Sequence, residues 1–103
     1  DADAVKAIYG EACGESYTGK LTLAGALRNR GTLRGVYGLN SPLLKRDINR
    51  RAWNDCVTAW SASRTNDLSR GATCWGSKSD IAKASFYKRM TPTTTIGGHT
   101  FFK

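Results

Sequence analysis

The chain has 103 residues, enough for one compact domain and too few for two. Hydrophobic residues make up 40% of it, with three Trp, four Tyr and three Phe, which excludes a disordered chain; no apolar run approaches the ~18 residues of a membrane span. Sixteen Lys and Arg against eight Asp and Glu give a net charge of +8, a field that attracts polyanions: nucleic acid, an anionic membrane surface or the acidic polymers of a bacterial envelope.

The first element expected is a helix from Asp1 to Ala12, with acidic residues in its first turn and Val5, Ile8, Tyr9 and Ala12 along one stripe. Gly10 and Gly14 weaken it near its end. A second helix follows, with Thr18 as N-cap, Leu21, Ala24, Gly25 and Arg28 at helical spacing, and Gly31 as a left-handed stop. Residues 32–42 form a loop with a short strand at Leu33 to Tyr37. Leu44, Ile48, Ala52, Cys56 and Ala59 recur every three or four residues, which predicts an amphipathic helix from Leu43 to Trp60. Ser61 to Gly76 is polar and turn-rich. Ser79 caps a last helix through Met90, and Thr93–Ile96 and Thr100–Phe102 flank a Gly97-Gly98 turn as a small hairpin. The class expected is therefore α+β, mostly α, with a minor β element at the C-terminus. Asp1 is not an initiator Met, so a processed or excised piece is expected.

Glu11 and Glu15 are the two glutamates of the sequence and lie four residues apart. If the first helix continues through both, their Cβ atoms stand roughly 5–6 Å apart. Carboxylates that close repel, which favours retention of one proton, and a carboxylic acid poised to protonate a leaving oxygen is what glycosidic cleavage uses. A pair of solvated surface glutamates is the plainer alternative. Metal chemistry has less to build on, because His99 is the single His and Cys13, Cys56 and Cys74 contain no Cys-x-x-Cys pair; no metal ligands and no cofactor are expected. A nucleophilic pair of His99 with Cys13 or Cys74 remains an alternative, whereas Cys56 sits on an apolar stripe. The basic segment from Leu43 to Trp60 keeps a nucleic-acid-binding module open, although no standard signature of one is present.

Two stretches resemble a known family. AIYGEACGESYTGKLTLAGALRNR, from Ala7 to Arg30, is similar to the signature of the SleB/CwlJ cell wall hydrolases, with Glu11, Ala12, Gly14, Glu15, Gly19, Ala24, Asn29 and Arg30 at the positions that pattern requires. IGGHTFFK, from Ile96 to Lys103, resembles that family's terminal Ile-Gly-x-His-x-Phe motif, and Asp67, Gly71 and Ala72 resemble its Asp…Gly-Ala segment. The chain departs from the family where a Gln- and Phe-containing loop is replaced by the basic stretch after Ser41, and where Cys74-Trp75 replaces an aromatic-and-His run.

The resemblance implies a lysozyme-like fold and a single peptidoglycan-cleaving catalytic domain over residues 1–103. It implies cleavage of the β-1,4 bond between N-acetylmuramic acid and N-acetylglucosamine, with Glu11 as general acid/base and Glu15 in support. Tyr17, Asn29, Arg30, Gly71, Ala72 and His99 are expected on the substrate. The partner implied is the peptidoglycan glycan strand, met by a monomer with no specific nucleic acid, no membrane span and no cofactor. The protein would be secreted, periplasmic or wall-associated, or phage-encoded and acting on a host wall. The alternative in another class is a non-catalytic basic module that binds nucleic acid or anionic wall polymer.

Overall fold

The structure, a computed structural model, describes residues 2–103. Among the described residues there are four α-helices, α1 (Ala2–Ala12), α2 (Tyr17–Arg30), α3 (Arg50–Ala62) and α4 (Lys78–Lys83), and three short strands, β1 (Cys74–Gly76), β2 (Pro92–Ile96) and β3 (His99–Phe102). This is the mostly helical α+β class expected, and Asp1, placed in the first helix by its sequence, lies outside the described residues.

The core is built around α2. Every residue of α2 from Gly19 to Leu27 is buried, so this helix is enclosed on all sides rather than amphipathic. It packs against the Ala4, Val5, Ile8 and Ala12 stripe of α1, against Cys56 and Ala59 of α3, and near Phe101 of β3. Its buried polar groups have partners: Thr22 Oγ1 donates to the Thr18 carbonyl at 2.7 Å, and Lys20, only 3% exposed, faces Asp55 of α3 at 3.7 Å. Arg28 lies 3.7 Å above the Trp60 ring and donates to Ser63 Oγ at 2.6 Å, which fixes the far end of α2 to α3.

Four expectations are corrected. The N-cap of α2 is Ser16, whose Oγ accepts from Gly19 N at 3.1 Å, while Thr18 sits inside the helix. The third helix starts at Arg50 instead of Leu43, because the Asn49 side chain accepts from Ala52 N and its backbone N–H donates to the Tyr9 hydroxyl at 3.0 Å. Leu43 and Leu44 belong to a separate 3-10 turn, Pro42–Lys45, and Leu33–Tyr37 is no strand; Tyr37–Asn40 is another 3-10 turn. The last helix starts earlier and is shorter than expected: a capping box of Ser77 and Asp80 opens α4, and after Lys83 the chain continues as a 3-10 turn, Ser85–Arg89.

The Gly97-Gly98 hairpin forms as expected, and the polar segment before it supplies the strand the sequence hid. The sheet order is β1-β3-β2, all antiparallel, with Trp75 opposite Phe101 and Ile96 opposite His99. The sheet therefore brings Trp75, on the outer strand β1, and His99, on the central strand β3, to the end of α1.

Candidate active site

Glu11 lies one residue before the end of α1, half-buried in a cleft of about 620 Å³. Its Oε1 accepts a 3.0 Å hydrogen bond from Trp75 Nε1 of β1, which fixes the carboxylate's orientation. The helix is held there by an unusually close backbone approach. A Cβ on Gly10 would overlap the Gly38 carbonyl oxygen, and one on Gly38 would overlap the Ala7 carbonyl oxygen and stand 2.6 Å from Glu11 Cγ. Gly10, expected to weaken the helix, instead lets the Tyr37–Asn40 turn seat against it, beside the carboxylate.

The cleft walls come from two sides. Val36 and Tyr37 form one, and Ala84, Phe86 and Tyr87 contribute to the other. Tyr37 is 80% exposed and Phe86 43% exposed, so both rings are open to solvent in the cleft that Glu11 lines, Phe86 with one face stacked on Tyr87. Tyr87 is buried beside Phe86: its hydroxyl donates to the Trp75 carbonyl at 2.9 Å, and burial, reinforced by Cys74 and Asp80, pushes it up to about 12. It acts as a prop for β1 and holds the strand that carries Trp75.

A second carboxylate lines the same cleft. Asp80 accepts from Ser77 N at 3.0 Å, and that bond, with the one from the Ser77 side chain, holds its carboxyl below the usual range against the opposing effect of burial. His99 and Lys83 add favourable charge nearby. Asp80 is therefore ionised at neutral pH and already engaged in capping α4.

Glu15 takes a different place from the one its spacing suggested. Helix α1 stops at Ala12, and Glu15 turns to the hairpin, where its Oε1 accepts from Gly98 N at 3.1 Å. Gly97, at φ +56, packs so closely on that carboxylate that a Cβ there would overlap Oε1. Glu15 thus latches the β2–β3 turn, and the next residue along, His99, lines the cleft.

Of the residues expected on the substrate, Arg30 and His99 line the cleft. Arg30 donates to the Arg34 carbonyl at 2.6 Å and to the Thr73 carbonyl at 3.3 Å, so it ties the loop after α2 to the segment before β1. Asn29, Gly71 and Ala72 do not line it. The Asn29 amide donates to Asp67 Oδ2, Ser69 Oγ and the Ala72 carbonyl, Gly71 N donates to Asp67 Oδ2 at 3.0 Å, and Ala72 is fully buried. These residues are a loop brace around Asp67: burial raises its carboxyl, but the donors from Asn29, Ser69 and Gly71 outweigh burial and hold it low. Tyr17 is half-exposed at the start of α2 and is likewise absent from the cleft lining. Among the described residues, no three His, Cys, Asp or Glu side chains converge as a metal site would require.

Tyr37, Phe86, Tyr87 and Asp80 were missed in the sequence, and Trp75 stood out there only as a departure from the family motif, without its partner Glu11. The Trp75–Glu11 contact joins residues 64 apart, and no local pattern announces it.

The shape of the chain settles which fold this is. The crystal structure of the catalytic domain of the Bacillus cereus SleB protein superimposes with a TM-score of 0.68, covering 97% of this chain and 86% of that one at 22% identity. The fold is that of the SleB catalytic domain. A second SleB structure, the catalytic domain of the germination-specific lytic transglycosylase from Bacillus anthracis, gives the same TM-score and identity over 98% of this chain and 91% of that one. No family model matches the sequence, and no curated protein matches it. The SleB-like fold is thus carried here by a sequence in which most positions differ. No helix among the described residues is long and apolar enough to cross a membrane.

Proposed function

We propose that residues 1–103 form a single catalytic domain that cleaves the β-1,4 bond between N-acetylmuramic acid and N-acetylglucosamine in peptidoglycan, with Glu11 as the general acid/base. One observation carries this reading: Glu11 is oriented by the Trp75 indole in a cleft also lined by the exposed aromatic rings of Tyr37 and Phe86. Aromatic faces bury the apolar faces of sugar rings, and a fixed carboxyl in the same cleft is placed to act on the bond joining two rings. The SleB-like fold supports it, since one of the similar structures is described as a lytic transglycosylase.

In the step proposed, protonated Glu11 gives its proton to the bridging oxygen as the C1–O4 bond breaks. The muramyl 6-hydroxyl attacks C1, the C1–O6 bond closes a 1,6-anhydro ring, and the Glu11 carboxylate takes the hydroxyl proton. The enzyme ends as it began, and no water is consumed. Arg30 and His99 line the cleft and supply hydrogen-bond donors to the glycan, and Glu15 acts through the hairpin rather than on the sugar.

Asp80 gives the second reading a specific basis. An ionised carboxylate in the same cleft can activate a water, which would make the reaction a hydrolysis. Mass spectrometry of the products from purified peptidoglycan tests both. Anhydro-muramyl ends are the result expected; reducing ends make the reaction a hydrolysis, and intact strands refute glycan cleavage altogether. Action on peptidoglycan places the protein outside the cytoplasmic membrane, in the wall or periplasm of its own or a host cell.

A further inference from the structure

Helix α1 and the Tyr37–Asn40 turn each serve two depressions. Glu11 and Tyr37 line the cleft already described, whereas Lys6 and Leu39 line a second groove of about 520 Å³. Its apolar surface comes from Leu39, Leu44, Ile48 and Trp53, with Ile48 41% exposed, and Lys6 and Arg50 stand on it as exposed cations. Among the described residues no carboxylate lines it, and neither cation is held in a salt bridge. Lys45, Arg46 and Arg51, all exposed, extend the positive charge along the same stretch of chain. The Tyr9–Trp53 ring contact and the Asn49–Tyr9 bond hold the groove's far wall to α1.

We propose that this groove binds the acidic stem peptide of the glycan strand whose sugar backbone occupies the Glu11 cleft. The proposal rests on the peptidoglycan reading above and adds a peptide subsite to it. The chemistry matches on two counts. Stem peptides combine small alanyl methyl groups, which suit a floor of Leu, Ile and Trp, with free carboxylates, which suit the two exposed cations. The distance matches as well: Lys6 precedes Glu11 by five residues, about 7–8 Å along the helix axis and on another face, while a peptide of four or five residues extends roughly 13–18 Å. A strand anchored by its peptide presents the neighbouring glycosidic bond at a fixed offset, so the groove would favour peptide-bearing over bare glycan.

The test compares intact peptidoglycan with the same strands stripped of peptides by an amidase, at one ionic strength, for the wild type, Lys6→Gln/Arg50→Gln and Lys45→Gln/Arg46→Gln. The second double variant removes equal charge outside the groove lining. The Lys6→Gln/Arg50→Gln protein is expected to raise KM on peptide-bearing strands about tenfold, with kcat unchanged, and to act on stripped strands like the wild type. An equal rise on both substrates, an equal effect from Lys45→Gln/Arg46→Gln, or no rise at all overturns the proposal. Titration with a synthetic stem peptide, followed by the Trp53 indole NMR signal, separates this from the failure of the cleavage reading. A saturable shift lost in Lys6→Gln/Arg50→Gln supports the subsite even if no strand is cut. An indole signal that instead moves with protein concentration assigns the groove to a second copy of the chain and overturns it.

Discussion

Replacing Gly38 by Ala should damage both stability and activity, because this glycine is where the Tyr37–Asn40 turn meets the Glu11 helix. The added Cβ would overlap the Ala7 carbonyl oxygen and lie 2.6 Å from Glu11 Cγ and 3.1 Å from Glu11 N. Two of those three atoms belong to helix backbone, so relief requires the turn to lift away or α1 to bend. Overpacking of this kind costs roughly 1–3 kcal/mol. At about 4–8 °C per kcal/mol for a domain near this size, Tm should fall by on the order of 10 °C. The displaced Glu11 side chain should also weaken its bond to Trp75, so kcat measured well below the new Tm should drop more than KM rises. Gly14→Ala is the control: nothing lies within 4 Å of a Cβ there, and Tm should hold or rise slightly. Thermal unfolding by circular dichroism with peptidoglycan turbidity assays reads both effects. Gly38→Ala melting within about 2 °C of the wild type with full activity would refute the claim that this contact places Glu11.

Glu15→Ala should release the Gly97-Gly98 turn and cost up to about tenfold in activity, the scale of one charge-assisted hydrogen bond, and Glu15→Gln, which keeps an acceptor for Gly98 N, should cost less; if either exceeds Glu11→Gln, the two roles must be exchanged. Asp67 has a folded-state pKa below its unfolded value, so its contribution is complete above the unfolded pKa of about 4 and is lost as pH falls through the folded value. Asp67→Asn should therefore melt below the wild type at neutral pH, with the gap closing below about pH 4, and a gap constant across that range would contradict the brace. Added salt should slow action on intact walls and leave cleavage of a short neutral glycan nearly unchanged, because exposed charges are screened within about 8–10 Å; equal inhibition of both substrates would place the cations in the chemistry instead.

What the sequence made legible follows from how local each signal is. The α1 stripe, the Gly31 stop of α2 at φ +73 and the Gly97-Gly98 hairpin are written in neighbouring residues, and all are present. The boundary of α3 was lost because Leu44 and Ile48 keep helical spacing with Ala52 while lying in a 3-10 turn and in a segment without regular structure; Asn49 was the cap that would have corrected it. Strand β1 is three residues in a polar stretch and exists through its pairing with Phe101 and Phe102, which no window around Trp75 contains. The candidate site divides the same way. Glu11, Arg30 and His99 come from the two motifs, but the groups that orient and flank Glu11 arrive from Trp75, Tyr37 and Phe86 through tertiary packing. Asn29, Gly71 and Ala72 share the motif positions, yet their bonds point to a loop brace, since a motif records what must be kept and not what it touches.

The measurement that bears most directly on Glu11 is the rate of peptidoglycan cleavage by Glu11→Gln, made beside a thermal melt of the same protein. Gln keeps the side chain's shape and an oxygen for the Trp75 indole, so Tm should stay near that of the wild type, while the proton needed at the glycosidic oxygen is gone. Activity should fall at least ~10²-fold. A folded Glu11→Gln protein that clears peptidoglycan at close to the normal rate would contradict the assignment of Glu11 as the acid.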